Sequence, residues 1–385
     1  MTQKNVGIIG GGQLGMMLLE SALENKRANY TILEASKDCP AFDLCDHFIE
    51  GNLKDAVAIN KLSTNCDVLT WEIEHINVEA LIELEKQGKQ IIPSPKVLQI
   101  IQDKGLQKEF YISHNVPTSP FVLLKDNELL QYLENHPEFI VGDKVVVKSR
   151  TGGYDGKGVQ ILSLDQIRAG ELIFEGDILL EQFVPDVLEL SVIVAVGQNK
   201  EVKVFPSIEM YFNPESNLVE FLFSPAQVSQ EIEDNARKTA FNAVESLQSA
   251  GLFAVEMFVV GTGEIWVNEI APRPHNSGHH TIEGCETSQF EQLNKILLGE
   301  SLGDSQLIQP SAMINIVGPK EFSGSYVLKD ELHWLEQKDV FVHMYRKSES
   351  RPNRKLGHVT VAASTFDELM KRAKEVKETL EIIQS

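Results

Sequence analysis

The sequence predicts a multidomain protein of mixed α/β and α+β class, and three observations carry that expectation. At 385 residues, 42% of them hydrophobic, the chain is globular yet too long for one compact core, so two or three domains are expected. Its N-terminal part alternates short apolar strands with helical stretches, the pattern of a parallel sheet covered by helices. Its middle turns strand-rich with hairpin signals, as in an α+β domain.

The chain opens with an apolar strand at 5–9, then Gly10-Gly11-Gly12-Gln13-Leu14-Gly15 and a helical run of Met, Leu and Ala reaching about residue 24. Strand, glycine turn and helix make a βα unit. The spacing Gly10-x-Gly12-x-x-Gly15 matches a dinucleotide fingerprint, and Glu34 ends the next strand near where a ribose-binding acid belongs. Physically the motif promises only backbone N–H groups and a helix N-terminus facing an anion, and a tightly packed βα turn needs the same glycines. Strands at 30–34, 68–70 and 90–92 continue the pattern, and Pro93-Ser94-Pro95 closes a first domain over residues 1–98.

A helix over about 96–114 begins a second domain, 99–310, in which strands are expected at 145–148, 159–162, 178–183, 190–196 and 201–206. Between the first two of these lies Lys148-Ser149-Arg150-Thr151-Gly152-Gly153-Tyr154-Asp155-Gly156-Lys157-Gly158. A Walker loop ends a strand and opens a helix, which this segment does not. Its glycines let the backbone fold over phosphates while Lys148 and Lys157 supply charge, so a phosphate-covering lid within a subdomain at about 115–185 is the reading, against a plain hairpin loop. Farther on, Glu181-Gln182-Phe183-Val184 ends an apolar strand able to offer backbone groups to an adenine edge, and Glu189 follows as a partner for ribose hydroxyls.

After a helix at 231–250, apolar runs at 256–260 and 265–270 flank Gly261-Thr262-Gly263-Glu264, a hairpin. With Thr262 and Gly263 as turn centre, Glu256 falls directly opposite Glu269, their Cβ atoms about 5 Å apart on one face. Like charges so placed repel unless a cation lies between them, and hard oxygen ligands with few protein donors suit magnesium carrying nucleotide phosphates. His275, His279 and His280 follow in Pro272-Arg273-Pro274-His275-Asn276-Ser277-Gly278-His279-His280 and read as hydrogen-bonding groups rather than transition-metal ligands. A third domain, 311–385, carries short strands and a final helix with Thr365-x-x-Glu368 as capping box and Leu369, Ala373, Val376 and Leu380 as apolar stripe.

Composition excludes several classes. Thirty-five Lys plus Arg against 56 Asp plus Glu leave −21, which argues against nucleic acid or an anionic membrane as partner. Anionic substrates must then be met by local basic clusters, such as Arg346, Lys347, Arg351, Arg354 and Lys355. Four scattered cysteines form no disulfide framework, and no leader or spanning segment is read, so a cytoplasmic location is expected.

In their order, these pieces resemble the ATP-grasp superfamily, and the motifs at 10–15, 150–158 and 268–279 resemble one branch of it, the N5-carboxyaminoimidazole ribonucleotide synthetases. Arg351-Pro352-Asn353-Arg354-Lys355-Leu356-Gly357-His358 extends the resemblance over nearly the whole chain. It implies an ATP-grasp fold with a Rossmann-like pre-ATP-grasp domain and a small β-rich C-terminal domain. The implied reaction joins ATP, bicarbonate and 5-aminoimidazole ribonucleotide through carboxyphosphate in purine biosynthesis. Magnesium, with manganese as an alternative, would assist; no biotin is implied, and a homodimer is.

Carried over by residue, the resemblance implies ATP contacts from Lys104, Lys148, Gly153, Tyr154, Asp155, Gly156, Lys157, Gly158, Val159, Glu181, Gln182, Phe183, Val184, Glu189, Glu209, Asn268 and Glu269. It implies metal ligands at Glu256 and Glu269, and ribonucleotide contacts from Gln13, Leu14, Glu74, Asn276, Lys347, Arg354 and Lys355. Asp155 is the expected proton acceptor for the amine, with Lys157 and Arg273 steadying the anionic intermediate. Lys104 and Lys157 stand where some relatives carry arginine, and Met210 follows Glu209 where asparagine is common. The competing readings are a formate-dependent glycinamide ribonucleotide transformylase-like ligase, a dinucleotide-dependent oxidoreductase using the Gly10 loop and Glu34, and a nucleotide-binding regulator without turnover.

Overall fold

A computed structural model describes residues 3–23, 26–153, 158–212 and 219–385. Strands β1 (Lys4–Ile9), β2 (Ala28–Glu34), β3 (His47–Glu50), β4 (Val68–Trp71) and β5 (Gln90–Ile91) form an all-parallel sheet in the order β3-β2-β1-β4-β5. Val6, Ile8, Ile32, Val68 and Leu69 in it are fully buried, as expected of strands covered on both faces by helices. The order reverses between β1 and β4, and the glycine loop after β1 lies at that switch point.

The expected helix over 96–114 is two helices, Pro95–Ile101 and Lys104–Ser113. Asp103 breaks it: its carboxylate caps the second helix by accepting from the Gly105 and Leu106 amides, and also pairs with Arg150 Nε at 2.7 Å. This ties the start of the helix to the base of the glycine lid, where the Lys104 amide donates to the Arg150 carbonyl at 2.9 Å.

A four-stranded antiparallel sheet, β6 (Phe121–Lys125), β9 (Asp177–Gln182), β7 (Lys144–Ser149) and β8 (Val159–Ser163), follows in that spatial order. A larger sheet combines β10 (Leu188–Val196), β11 (Val202–Val204), β12 (Ile208–Phe212), β13 (Val219–Ser224), β14 (Gly251–Val260) and β15 (Glu264–Ala271) with C-terminal strands. β10 and β11, which cover most of the strands expected at 190–196 and 201–206, pair as an antiparallel hairpin. The C-terminal β16 (Ser311–Val317) pairs directly with β13, so β16, β19 (Lys355–Ala362) and β18 (Val340–Met344) extend the large sheet. β17 (Tyr326–Leu328) and β20 (Ile382–Gln384) form a separate pair. The last helix, Phe366–Thr379, is capped by Thr365 and buries Leu369, Ala373 and Val376 of its expected stripe, while the fourth member, Leu380, falls beyond the helix at its C-cap. Among the described residues no helix is long and apolar enough to cross a membrane.

Candidate active site

The hairpin β14–β15 turns through three residues, with Gly261 and Gly263 at positive φ, so the expected two-residue turn is not formed. Pairing from this tip, with Val260 opposite Glu264 and Met257 opposite Val267, would by itself set Asn268 against Glu256 and throw Glu269 to the opposite face. A bulge prevents this: Asn268 is the extra residue, and Glu256 then faces Glu269, as the sequence predicts but by another route.

Lys104 Nζ lies 2.8 Å from Glu269 Oε2. Through that contact Lys104 holds the Glu269 carboxyl down, while burial beside Glu269 pushes Glu256 up, so the pair keeps its proton on the side away from the lysine. His275 Nε2 stands 3.4 Å from Glu256 Oε1. Glu269 keeps 40% side-chain exposure, so this carboxylate remains open to solvent. Glu189 joins the same face, since Ser191, two residues on, pairs with Glu256; burial lifts its carboxyl to about 7 against the pull of Lys148.

The opposing wall comes from the four-stranded sheet. Lys148 Nζ contacts Glu181 Oε2 at 2.6 Å and Asn268 Oδ1 at 2.9 Å. The bulge residue therefore links the two sheets. Lys108, not singled out in the sequence, contacts Glu181 Oε1 at 2.6 Å and is 2% exposed. Burial pushes Glu181 up, but Lys108 and Lys148 outweigh it and hold it down at about 2. A signal for Lys108 existed: it lies one helical turn after Lys104.

Around this cluster, Gln182 donates to the Glu138 carbonyl at 2.9 Å, Lys144 sits over the Phe183 ring at 5.4 Å, and Val184 is half-buried. At the lid's ends, a Cβ on Gly153 would lie 2.7 Å from Gly158 Cα, so the two stems meet where only glycine fits. Val159 begins β8. Tyr154, Asp155, Gly156 and Lys157 lie outside the described residues.

Glu209 is not brought to this face. It pairs with Leu190 and shares that residue's side of the sheet, which packs under helix Gln230–Ser246. There Tyr211 Oη, at 2.5 Å, and the Gln227 amide, at 3.0 Å, both donate to its carboxylate. Pairing with Leu190, one residue from Glu189, sets Glu209 on the face opposite Glu189 and Glu256, away from the nucleotide contact that the family resemblance implies for it.

Of the residues expected to meet a ribonucleotide, Glu74 lies near Lys104 and Lys355 near Glu256. Arg273 Nε lies 3.1 Å from Glu74 Oε1, joining hairpin and N-terminal domain. Asn276 exchanges two amide hydrogen bonds with Asn315, at 2.9 and 3.0 Å. Lys355 is near enough to Glu256 to oppose its upward shift. Lys347 Nζ donates to the Lys355 carbonyl at 2.5 Å, and Arg354 Nη1 to the Glu349 carbonyl at 2.6 Å. Gln13 is half-buried at the start of helix Gln13–Leu23, and Leu14, 8% exposed, packs into the core, leaving its backbone rather than its side chain for contact.

The glycine loop's amides already have an anion. Glu72 accepts from the Gly12 amide at 2.7 Å and the Gly15 amide at 3.3 Å, while Glu34 accepts from the Gly11 amide at 3.0 Å. A dinucleotide pyrophosphate would have to displace one carboxylate, and its ribose would need the other. That removes the structural basis of the oxidoreductase reading. Of the histidines, His279 contacts Gln289 and His280 contacts Ser311; burial lowers His280 to about 3.

Three family descriptions match the chain: a ribonucleotide synthetase pre-ATP-grasp domain over residues 3–102, an ATP-grasp domain over 109–290, and a phosphoribosylaminoimidazole carboxylase C-terminal domain over 311–372. The N5-carboxyaminoimidazole ribonucleotide synthase of Staphylococcus aureus is 33% identical over 368 residues, covering 94% of each chain. The chain belongs to the N5-carboxyaminoimidazole ribonucleotide synthetase family. The crystal structure of the Aspergillus clavatus synthase, in complex with ADP and 5-aminoimidazole ribonucleotide, is similar with a TM-score of 0.86 and 31% identity, covering 98% of this chain and 99% of that one. The chloroplastic phosphoribosylaminoimidazole carboxylase of Vigna aconitifolia is 36% identical over 371 residues, and this chain spans 65% of its length against 94% of its own. The fold is accordingly the ATP-grasp fold with its pre-ATP-grasp and C-terminal domains, and the family is one of ATP-grasp ligases.

Proposed function

We propose that this chain carboxylates 5-aminoimidazole ribonucleotide with ATP and bicarbonate, giving N5-carboxyaminoimidazole ribonucleotide, ADP and phosphate in purine biosynthesis. The observation carrying this reading is the opposed pair Glu256 and Glu269 facing Lys104 and Lys148, in a chain of this synthetase family.

Bicarbonate is a poor electrophile at carbon, so one of its oxygens attacks the γ-phosphorus, ADP leaves, and carboxyphosphate results. The amine of the ribonucleotide then takes the carboxyl group, directly or as carbon dioxide, as phosphate departs and the nitrogen loses its proton. Lys104 and Lys148 face the phosphates, where charge spreads over the transferred oxygens. The backbone of residues 181–184 meets the adenine edge, and Glu189 the ribose. Gly153, Gly158 and Val159 anchor the lid that keeps water from the labile intermediate. Asp155 takes the amine proton, with Lys157 and Arg273 steadying the anion; near-normal turnover in Asp155→Asn would remove that assignment.

The donor set fits a hard divalent cation, since burial beside Glu269 leaves Glu256 reluctant to ionise without a further positive charge. Glu256 and Glu269 would hold magnesium, which supplies neutralising charge at the phosphoryl oxygens. Glu74, Lys347, Arg354 and Lys355, with Gln13, the Leu14 backbone and Asn276, receive the ribonucleotide. The enzyme is read as a cytoplasmic homodimer.

The test is magnesium-dependent ADP release with 5-aminoimidazole ribonucleotide plus bicarbonate, against glycinamide ribonucleotide plus formate. Stimulation by the first pair, with the N-carboxylated product identified, supports the proposal. Stimulation only by the second moves the chain to the transformylase branch, and no turnover with either refutes a ligase role.

A further inference from the structure

We propose that Lys108 is a positioning residue for nucleotide binding: by sharing the Glu181 carboxylate with Lys148, it leaves Lys148 with net positive charge to offer a nucleotide polyphosphate. The inference rests on reading the cleft as an ATP site.

Lys108 cannot itself reach a ligand. Its ammonium, on a residue 2% exposed, is surrounded by Glu181 Oε1 at 2.6 Å, Thr118 Oγ1 at 2.5 Å and Ser119 Oγ at 3.4 Å, which account for its three N–H donors. Both hydroxyls spend their own protons elsewhere, Thr118 on the Val267 carbonyl at 2.7 Å and Ser119 on Glu181 at 3.3 Å, so their oxygens face Lys108 as acceptors. Helix Lys104–Ser113, the 118–119 segment and β9 thus converge on one ammonium, and Thr118 ties the group to β15.

The remaining oxygen of Glu181 belongs to Lys148, whose Nζ also touches Asn268 beside Glu269. Lys148 therefore stands between the buried Lys108–Glu181 pair and the acidic pair, completing a trio with the first. Two ammoniums and one carboxylate sum to +1. Without Lys108 the trio would collapse to a neutral one-to-one pair, and Glu181 would compete with phosphate for the Lys148 ammonium. Lys104 is already matched one-to-one with Glu269, so it does not replace the lost charge. Burying two lysines with a glutamate costs more desolvation than an apolar trio would, so stability alone is a weak reason for the arrangement. Control of the charge on Lys148 is a sufficient one. The same Glu181 belongs to the segment assigned to adenine, which couples the phosphate-facing lysine to the base pocket.

The experiment is calorimetric titration of the full chain with ATP, ADP and adenosine at fixed magnesium, for wild type, Lys108→Met, Lys108→Arg, Glu181→Gln and the Lys108→Met/Glu181→Gln double variant, with folding checked by thermal unfolding. Lys108→Met is expected to weaken ATP by roughly tenfold or more, ADP by less, and adenosine by under about threefold. The double variant, again at +1, is expected to recover most of the lost ATP affinity, and Lys108→Arg to keep most of it. Folded Lys108→Met that binds ATP like wild type overturns the proposal. So does equal loss of ATP and adenosine without recovery in the double variant, the mark of a merely structural role. Should Lys108→Met not fold, Glu181→Gln decides: the trio rises to +2, and weaker ATP binding with unchanged adenosine binding overturns the charge argument. Wild type that binds adenosine and ATP equally would instead refute the underlying assignment of Lys148 to phosphate, and the proposal with it.

Discussion

Replacing Glu256 by glutamine should make the ligand-free protein more stable while removing its response to magnesium and ATP. Glu256 and Glu269 have Cβ atoms about 5 Å apart, and two charges held at about that spacing repel by roughly 3 kcal/mol at an effective dielectric near 20. Lys104, 2.8 Å from Glu269, and the 40% exposure of Glu269 reduce this. A net gain of about 1–2 kcal/mol remains, or a few degrees in the unfolding temperature of a domain this size. The sign depends on pH. A carboxyl raised in the folded state contributes fully below its unfolded value, and that contribution is lost as pH rises through the folded one. The gain should therefore be near zero at ~pH 5, where Glu256 is protonated, and largest at ~pH 9. Thermal scans of both proteins at the two pH values, with and without saturating magnesium and ATP, read the result. Wild type should gain about 2–3 kcal/mol from ligand at roughly a hundredfold excess over the dissociation constant, and Glu256→Gln much less. Destabilisation by Glu256→Gln at alkaline pH, or an undiminished ligand shift, would refute the reasoning.

Three further outcomes are expected. Glu189→Gln should flatten the loss of apo-protein stability between ~pH 4.5 and ~pH 7, because the wild-type carboxyl is raised to about 7 by burial and its ionisation there costs on the order of 1–3 kcal/mol; an unchanged slope in chemical denaturation would contradict this. Asn268→Ala, which keeps the backbone of the bulge and removes only the Oδ1 that lies 2.9 Å from Lys148 Nζ, should raise the ATP Michaelis constant severalfold with little change in the turnover number; an unchanged Michaelis constant in steady-state kinetics would show that this contact does not hold Lys148 in place. Arg354→Glu should raise the Michaelis constant for the ribonucleotide far more than that for ATP, and steady-state kinetics with equal effects on both would count against its place beside the phosphate of the ribonucleotide.

The parts legible in the sequence are those governed by local periodicity and turn chemistry. The parallel N-terminal strands, the capped helix Phe366–Thr379 and the acidic hairpin each announce themselves within a short window. Opposition of Glu256 and Glu269 was also legible, although the assumed turn was one residue too short and the bulge at Asn268 restored the register. Lys148 was readable because it flanks the glycine loop, Lys104 only through the family resemblance, and the structure brings both to the acidic pair.

What only the tertiary structure decided depends on partners far apart in the chain. Lys108 matters because Glu181, 73 positions later, shares its charge with Lys148, and nothing in the local pattern of either residue says so. Glu72 fills the amides of Gly12 and Gly15, turning a fingerprint for a bound pyrophosphate into an internally satisfied turn. The family resemblance implies a nucleotide contact at Glu209, whereas pairing with Leu190 turns it toward helix Gln230–Ser246. Sequence by itself thus determined the family of folds and the chemistry available, because propensity, spacing and side-chain type are local. Which of those groups meet, and which are already occupied, was settled by strand register and burial, since moving one residue along a strand exchanges its faces and a distant counter-ion changes a group's charge.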